Sequence, residues 1–462
     1  MSLIAVVLAA GQGTRMKSDL SKVLHAAAGR TLLDWALQAI KVLDPDRTVV
    51  VIGHEAERVA RSLPDWAEPV IQESQLGTGH AVTVALECLA DLSDDDTILI
   101  TYGDMPLVTS ELLGAAAAAR RGHVASMVTF ESREPAGYGR IVRNGSGAFE
   151  RVVEEKDANS VERAITEVNA GIYAFSGAAL RSALGQVAAH NAQGEYYLPD
   201  VLPILIRAGG QVVTVSADPM EVSGVNSQDQ LADADAELRR RINLRWQREG
   251  VWMQDPDRVY IDDSVELAPG VRLYPGVHLE GRTTVGKGAA IGPDAFVLDS
   301  MIGPGARVWY SVLRSAQVGE GAEVGPYASL RPGTVLESGS KAGTFVEIKN
   351  SSVGEGAKVP HLSYIGDARI GARVNVGAGS ITCNYDGYEK HETVIGEGAF
   401  IGSSTMLVAP VVVGPGAFTG AGSVITRDVE AGALAVERSH QQEIPGYAAR
   451  REERHRSKAS EH

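Results

Sequence analysis

Two clusters of residues in this chain of 462 have the types and spacing for chemistry. The first is Leu8-Ala9-Ala10-Gly11-Gln12-Gly13-Thr14-Arg15-Met16, with Ser21-Lys22-Val23-Leu24 close behind. Phosphates are held by backbone N–H groups that approach closely, and glycine permits that approach in a tight turn. Gly11 and Gly13 supply the turn, and Arg15 and Lys22 stand near enough to neutralise a triphosphate. A Gly-x-Gly alone is a weak signal, and the flanking residues raise it above a plain structural turn. The second cluster centres on His361, in Lys358-Val359-Pro360-His361-Leu362-Ser363-Tyr364-Ile365-Gly366-Asp367. Histidine is the natural proton acceptor near neutral pH. A lone histidine is more often structural, but Arg331 and Lys349 lie at repeat spacing from this one and add a basic wall.

The elements that must position these clusters follow two kinds of order. Residues 1–226 alternate β-rich runs with helical ones: Leu3–Leu8, Leu32–Leu43, Thr48–Ile52, Gly79–Leu92, Thr97–Thr101. This is the pattern of βαβ units around a largely parallel sheet, an α/β, Rossmann-like domain. Ligands of such sheets collect at the carboxyl ends of the strands, so Ala10, Tyr102-Gly103-Asp104 and Gly224-Val225-Asn226 are expected to converge there. Residues 227–250 read as one charged linker helix, with Ser227 and Gln230 as a capping box and Leu231, Ala234, Leu238 and Ile242 on one face.

Residues 251–437 carry a six-residue period, for example Val318-Gly319, Val324-Gly325 and Leu330, then Val353-Gly354, Val359 and Ile365-Gly366. An inward aliphatic residue followed by small corner residues predicts a parallel β-helix with three faces and coils of about 18 residues, roughly ten in all. The period breaks between Ile381 and Ile395, where Thr382–Val394 is polar and turn-rich and must loop outward. The tail, residues 438–462, turns polar, and Arg450–His462 is expected to be disordered.

Composition bounds the rest. With 43 Lys and Arg against 58 Asp and Glu the net charge is −15, which argues against nucleic acid or an anionic membrane as partner. Cys88 and Cys383 are too few to staple the chain or build a metal site. The apolar run Leu3–Ala10 has no basic leader, and no stretch reaches the roughly 20 apolar residues of a membrane span, so a cytoplasmic protein is expected.

The first motif resembles those of the sugar-nucleotide pyrophosphorylases. Gln72, Gln75-Leu76-Gly77-Thr78-Gly79-His80, Tyr102-Gly103-Asp104, Gly137-Tyr138-Gly139-Arg140, Glu154, Asn169, Gly194-Glu195-Tyr196-Tyr197 and Gly224-Val225-Asn226 narrow the resemblance. They point to the bacterial family of bifunctional N-acetylglucosamine-1-phosphate uridyltransferases and glucosamine-1-phosphate acetyltransferases, over nearly the whole chain. The resemblance implies that the β-helix is left-handed, that the protein is a homotrimer with sites between neighbouring chains, and that Mg²⁺, UTP and acetyl-coenzyme A take part. Leu8, Ala10, Gly11, Gly13, Lys22, Gln72, Gly77 and Thr78 would bind nucleotide. Tyr102, Gly103, Gly139, Glu154, Asn169 and Asn226 would bind the sugar, and Asp104 and Asn226 would hold the metal. Arg15 and Lys22 would offset transition-state charge.

In the second half the resemblance makes His361 the catalytic base. Arg331, Glu347, Lys349, Tyr364 and Asn375 would bind the acceptor, with Glu347 and Asn384 orienting the amine and the histidine. Ala378, Asn384, Tyr385, Ser403, Ala421 and Arg438 would line acetyl-coenzyme A, with a backbone N–H near Ser403 as oxyanion donor. Cys383 has no role in direct transfer. His80 is expected to pack at a helix start and Glu155 to be solvated. Ser21 and Ala170 depart from the family's usual proline and threonine. Two other readings stay open: a non-catalytic β-helix, against which His361, Tyr364, Asn375, Asn384 and Tyr385 argue, and a pyrophosphorylase for another sugar or nucleotide.

Overall fold

The computed structural model describes residues 2–89, 92–189 and 191–459. They divide into two compact units, one of Met1–Leu244 with Ile261–Asp263 and one of Arg245–Tyr260 with Ser264–His462.

The first unit is a nine-stranded mixed sheet between two helical layers. Strand Leu3–Ala9 lies in its middle, parallel to Arg47–Ile52 and to Thr97–Tyr102. Its side chains alternate between the layers: Ile4, Val6 and Leu8 pack with helices Thr78–Glu87 and Val201–Arg207, and Ala5, Val7 and Ala9 pack with Leu32–Lys41 and Ser110–Ala119. A strand covered on both faces is apolar throughout, which is why this run reads as one block in the sequence. Strand Glu167–Ser176 runs antiparallel to both neighbours and bulges between Asn169 and Tyr173. The parallel strands end on one edge, where Gly103 N–H bonds Leu8 C=O and Val225 N–H bonds Asp104 C=O at 2.9 Å, so the three expected segments do converge.

The helix after this sheet spans Gln228–Arg248 and buries Ala234, Leu238 and Ile242, with Leu231 half-buried. The expected capping box is displaced by one residue: the Gln230 side chain accepts from Asn226 N–H at 2.8 Å, not from Ser227.

The second unit stacks parallel strands into three sheets of eleven, ten and nine, a parallel β-helix of about ten coils. Val285, Ile302, Val318, Leu336, Val353, Ile370, Ile395 and Val413 pair in one inward column, each nearly fully buried. The glycine after the inward residue is required because successive coils touch backbone to backbone there: a Cβ on Gly303 would fall 2.7 Å from the carbonyl carbon of Gly319. The repeat is less strict than the sequence reading. Met301 pairs with Gln317 and Ser352 with Arg369, sooner than a coil of 18 residues allows. Corner residues such as Ser315 and Asp367 take up the difference at φ 46° and 47°.

The outward loop is also narrower than expected. Ile381–Cys383 and Thr393–Ile395 remain strands, and only the residues between them leave the stack. The tail departs from the expectation of disorder: Tyr447–Ala459 is a helix whose described side chains are all exposed. Alanine, arginine and glutamate favour helix, and Glu452 and Arg456 pair one turn apart. Residues 460–462 of that tail lie outside the described residues.

Ile348, fully buried in the β-helix, supplies a direct test of the stacked core. Ile348→Ala is expected to cost about 2–5 kcal/mol in denaturant unfolding, and a loss under ~1 kcal/mol would mean the coil collapses around the gap.

Candidate active sites

A cavity of about 320 Å³ opens at the carboxyl edge of the first unit's sheet. Leu8, Ala10, Gly11, Lys22, Gln72, Gly77, Thr78, Tyr102 and Asp104 line it, with Gln75 and Glu195. Gly13 lies beneath the cavity: its φ is 62°, and a Cβ there would stand 2.6 Å from Lys22 Cβ. The glycine thus lets the lysine stem cross the turn. Gly11 differs, since a Cβ on it would meet nothing within 4 Å. Its open side is room for a ligand, and the glycine leaves the backbone N–H groups approachable.

Lys22 reaches across the cavity, where its ammonium forms an ion pair with Asp104 Oδ2 and bonds Asn226 Oδ1 at 2.9 Å. Asp104 and Asn226 therefore aim two oxygens at one cationic point. Among the described residues no group of three or more His, Cys, Asp or Glu could hold a metal. Two protein oxygens fit an ion that keeps water and substrate phosphates as its other ligands, as Mg²⁺ does. Arg15 is exposed at the mouth of the turn.

Gln72 is buried and donates to Gly77 C=O at 3.3 Å, with His80 Nδ1 at 2.9 Å from the same amide nitrogen. Its amide is thus tied to the turn that carries Thr78. His80 packs at the helix start as expected. Gln75, not assigned a role from sequence, donates to Ala10 C=O at 2.7 Å and fixes the cradle.

Beyond Tyr102 the residues matched to sugar binding adjoin one another. Asn169 N–H bonds Gly139 C=O, and a Cβ on Gly139 would sit 3.0 Å from Glu154 Oε1. Gly103 faces Leu33 in the core and offers a ligand only its backbone. Asn169 gives its amide hydrogen to Tyr173 OH at 2.6 Å and accepts from Gly171 N–H at 2.9 Å. Burial raises the Glu154 pKa, and the charges of Asp200 and Asp157 raise it further against the pull of Arg140. Glu155 is solvent-accessible and also pairs with the buried Arg140 at 2.6 Å and accepts from Gly137 N–H at 3.2 Å.

The second cluster lies on the β-helix. His361 ends strand Lys358–His361, and its C=O accepts from Gly379 N–H. Ser404 N–H bonds Ala378 C=O, Gly422 N–H bonds Ser403 C=O, and Arg438 donates to Ala421 C=O at 3.1 Å. His361, Ala378, Ser403, Ala421 and Arg438 therefore form a column along one corner. Among the described residues the Ser403 N–H donates to no acceptor, so it is free for an oxyanion.

On the next wall Glu347 pairs in register with Tyr364, and Lys349 with Gly366. Arg331 is hydrogen-bonded to Glu347 at 2.9 Å. Asn375 is not among them: it lies on another wall, between Lys358 and Phe400. Among the described residues neither Glu347 nor Asn384 hydrogen-bonds the His361 ring. The ring is exposed, Glu347 holds Arg331, and buried Asn384 gives its amide to Asp367. Tyr385 is exposed on the outward loop, its hydroxyl on Gly387 C=O at 2.6 Å.

Sequence reasoning missed two members of this wall. Asp367 accepts from Asn350 at 2.6 Å as well as from Asn384. Burial works to raise its pKa, but these bonds and the charges of Lys349 and Lys390 hold it below the usual value. Lys390, from the outward loop, has its pKa lowered by hydrogen bonding to Lys349 and by that lysine's charge. Lys349, Lys390 and Asp367 thus lie within electrostatic reach of one another. The signal available was a lysine inside the polar segment that breaks the repeat.

Asp200→Asn is expected to lower the Glu154 pKa, because it removes a negative charge that favours the protonated form. Carboxyl NMR titration reads this, and an unchanged value would place the cause in burial alone.

Comparison with known proteins covers both clusters. Residues 5–194 match the MobA-like NTP transferase domain family, and residues 392–427 match the bacterial transferase hexapeptide family of six repeats. The chain is 48% identical to the bifunctional protein GlmU of Kineococcus radiotolerans, over 96% of this chain and 91% of that protein. It is 47% identical to the GlmU of Streptomyces avermitilis over 96% and 94%, and 46% identical to that of Alkalilimnicola ehrlichii over 96% of each. Hexapeptide repeats accord with the left-handed sense expected of the β-helix. Taken with the phosphate cradle and the corner column, these likenesses establish that the chain belongs to the GlmU family of bifunctional transferases.

Proposed function

We propose that this chain makes UDP-N-acetylglucosamine, a cell-envelope precursor, in two steps at two sites. Glucosamine-1-phosphate is acetylated on the β-helix, and the product then reacts with UTP in the α/β unit. The carrying observation is that one chain holds both a cationic phosphate cradle and a separate polar corner column, within a family match spanning nearly its full length.

In the first step the amine of glucosamine-1-phosphate attacks the thioester carbonyl of acetyl-coenzyme A. His361 takes the amine proton, and the Ser403 N–H stabilises the tetrahedral oxyanion until coenzyme A thiolate leaves. Arg331, Lys349 and Tyr364, joined by Lys390, hold the sugar phosphate, with Glu347 and Asn375 as further contacts. Ala378, Asn384, Tyr385, Ala421 and Arg438 line the coenzyme. Among the described residues the His361 ring makes no hydrogen bond, and Asn375 stands on another wall, so in this reading the site is completed by neighbouring chains in a homotrimer.

In the second step a phosphate oxygen of N-acetylglucosamine-1-phosphate attacks the α-phosphorus of UTP in line, and pyrophosphate leaves. Gln72, Gly77 and Thr78 read the uracil, Leu8, Ala10, Gly11 and Gly13 cradle the phosphates, and Tyr102, Gly103, Gly139, Glu154, Asn169 and Asn226 hold the sugar. Arg15 and Lys22 offset the accumulating charge. Asp104 and Asn226 would hold Mg²⁺, which when bound supplies further positive charge against the phosphates. Lys22 must release Asp104 and Asn226 for that ion and turn to a phosphate. Among the described residues no helix is long and apolar enough to cross a membrane. The reading includes a cytoplasmic location, where all these substrates are made.

The test follows free thiol and pyrophosphate together, omitting each substrate in turn. His361→Ala is expected to lower acetyl transfer by roughly 10²–10⁴-fold and leave uridyl transfer intact. Asp104→Ala should do the reverse, and parallel loss of both activities in either variant would contradict two separate sites. Sedimentation is expected to give three chains per particle; an active monomer would remove the shared site.

A further inference from the structure

The aim of Lys22 depends on the short turn Lys22–Leu24, which begins at Ser21. Ser21 is buried, and its N–H donates to Glu55 Oε2 at 2.5 Å. Glu55 comes from the turn after strand Arg47–Ile52, next to His54, whose N–H reaches Ala10 C=O. One turn therefore touches both the phosphate cradle and the base of the lysine.

Two features bear on this contact. Glu55 has φ 52°, a left-handed conformation that disfavours any residue with a β-carbon. Its C=O opens the following helix by accepting from Arg58 and Val59 N–H, and the other partner of its carboxylate, the Arg58 guanidinium at 3.5 Å, is exposed. Ser21 in turn keeps a buried hydroxyl without a hydrogen-bond partner, at φ −50° and ψ 134°, where its N–H is the group put to use. A charge-assisted bond from that N–H is the side-chain gain that joins the two turns and offsets part of these costs.

We infer that Glu55 is a positioning residue for uridyl transfer: by holding the Ser21 N–H it fixes the turn that aims Lys22 at the point shared by Asp104 and Asn226. Glu55 is not among the residues that line the cavity and acts only through Lys22. The inference rests on the uridyl-transfer reading.

The test uses the full chain and four variants: E55G, E55Q, S21P and the double variant S21P/E55G. Proline suits the Ser21 backbone angles and has no N–H, so it replaces the hydrogen bond with a rigid ring. Pyrophosphate release from UTP and N-acetylglucosamine-1-phosphate gives kcat and KM, while thiol release from the β-helix serves as internal control. E55G is expected to lower uridyl kcat about tenfold, with the KM for the sugar phosphate and thiol release unchanged. Its melting temperature should not fall, because glycine relieves the left-handed strain. E55Q keeps an acceptor and should recover most of the rate. In the S21P background, E55G should cost less than about twofold, because proline has already removed the donor.

An unchanged kcat in E55G overturns the proposal. So does the same tenfold loss in both backgrounds, or a rate loss that tracks a lower melting temperature. If the parent chain releases no pyrophosphate at all, the uridyl-transfer reading fails and the positioning role fails with it; an active parent with indifferent Glu55 variants removes only the latter.

Discussion

Parallel strand pairing is the constraint on which both units are built. Strands that run the same way need a crossover between them, so their carboxyl ends gather on one edge and successive strands lie in fixed register. In the α/β unit this brings Ala10, Asp104 and Asn226 to one place, although they are far apart in sequence. In the β-helix the same register turns a sequence repeat into a spatial column, and His361, Ala378, Ser403 and Ala421 become neighbours.

The constraint also decides where chemistry is excluded. Each coil presents its backbone to the next at glycine positions where a side chain would clash, and its inner face is filled by aliphatic side chains. Functional groups are left with outward wall positions, the corner column and the one loop that escapes the stack. The α/β unit solves the same problem at the strand ends, where turns are free of ladder bonds and glycine can bring backbone N–H groups close to a ligand.

This is why much of the architecture was legible in the sequence. Period six gave the β-helix because one inward aliphatic residue per face is obligatory. The apolar blocks Leu3–Leu8 and Thr48–Ile52 gave buried parallel strands because both faces are covered. The site was legible where chemistry demands a residue type, as at Gly13, Lys22 and Asp104. It was illegible where a side chain's direction matters: the turning of Asn384 to Asp367, the separation of Asn375 from Tyr364, and the ion pair of Glu155 with Arg140. Corners closed early by Ser315 and Asp367 also escaped, because left-handed conformations at non-glycine residues leave little trace in composition.

The stack ends at strand Leu434–Ala435, which pairs only with Phe418–Thr419 on its inner side. A solenoid gains its stability from neighbouring repeats, so a terminal coil has half the cohesion of an internal one and opens first. Ala421 and Arg438, matched to the acetyl donor, belong to this fraying end, whereas Arg331 and Lys349, matched to the acceptor, sit mid-stack. On the proposed roles, the coenzyme would be met by the coil with a neighbour on one side and the sugar phosphate by coils stacked on both, so amide exchange should be fastest on the side where the larger substrate enters.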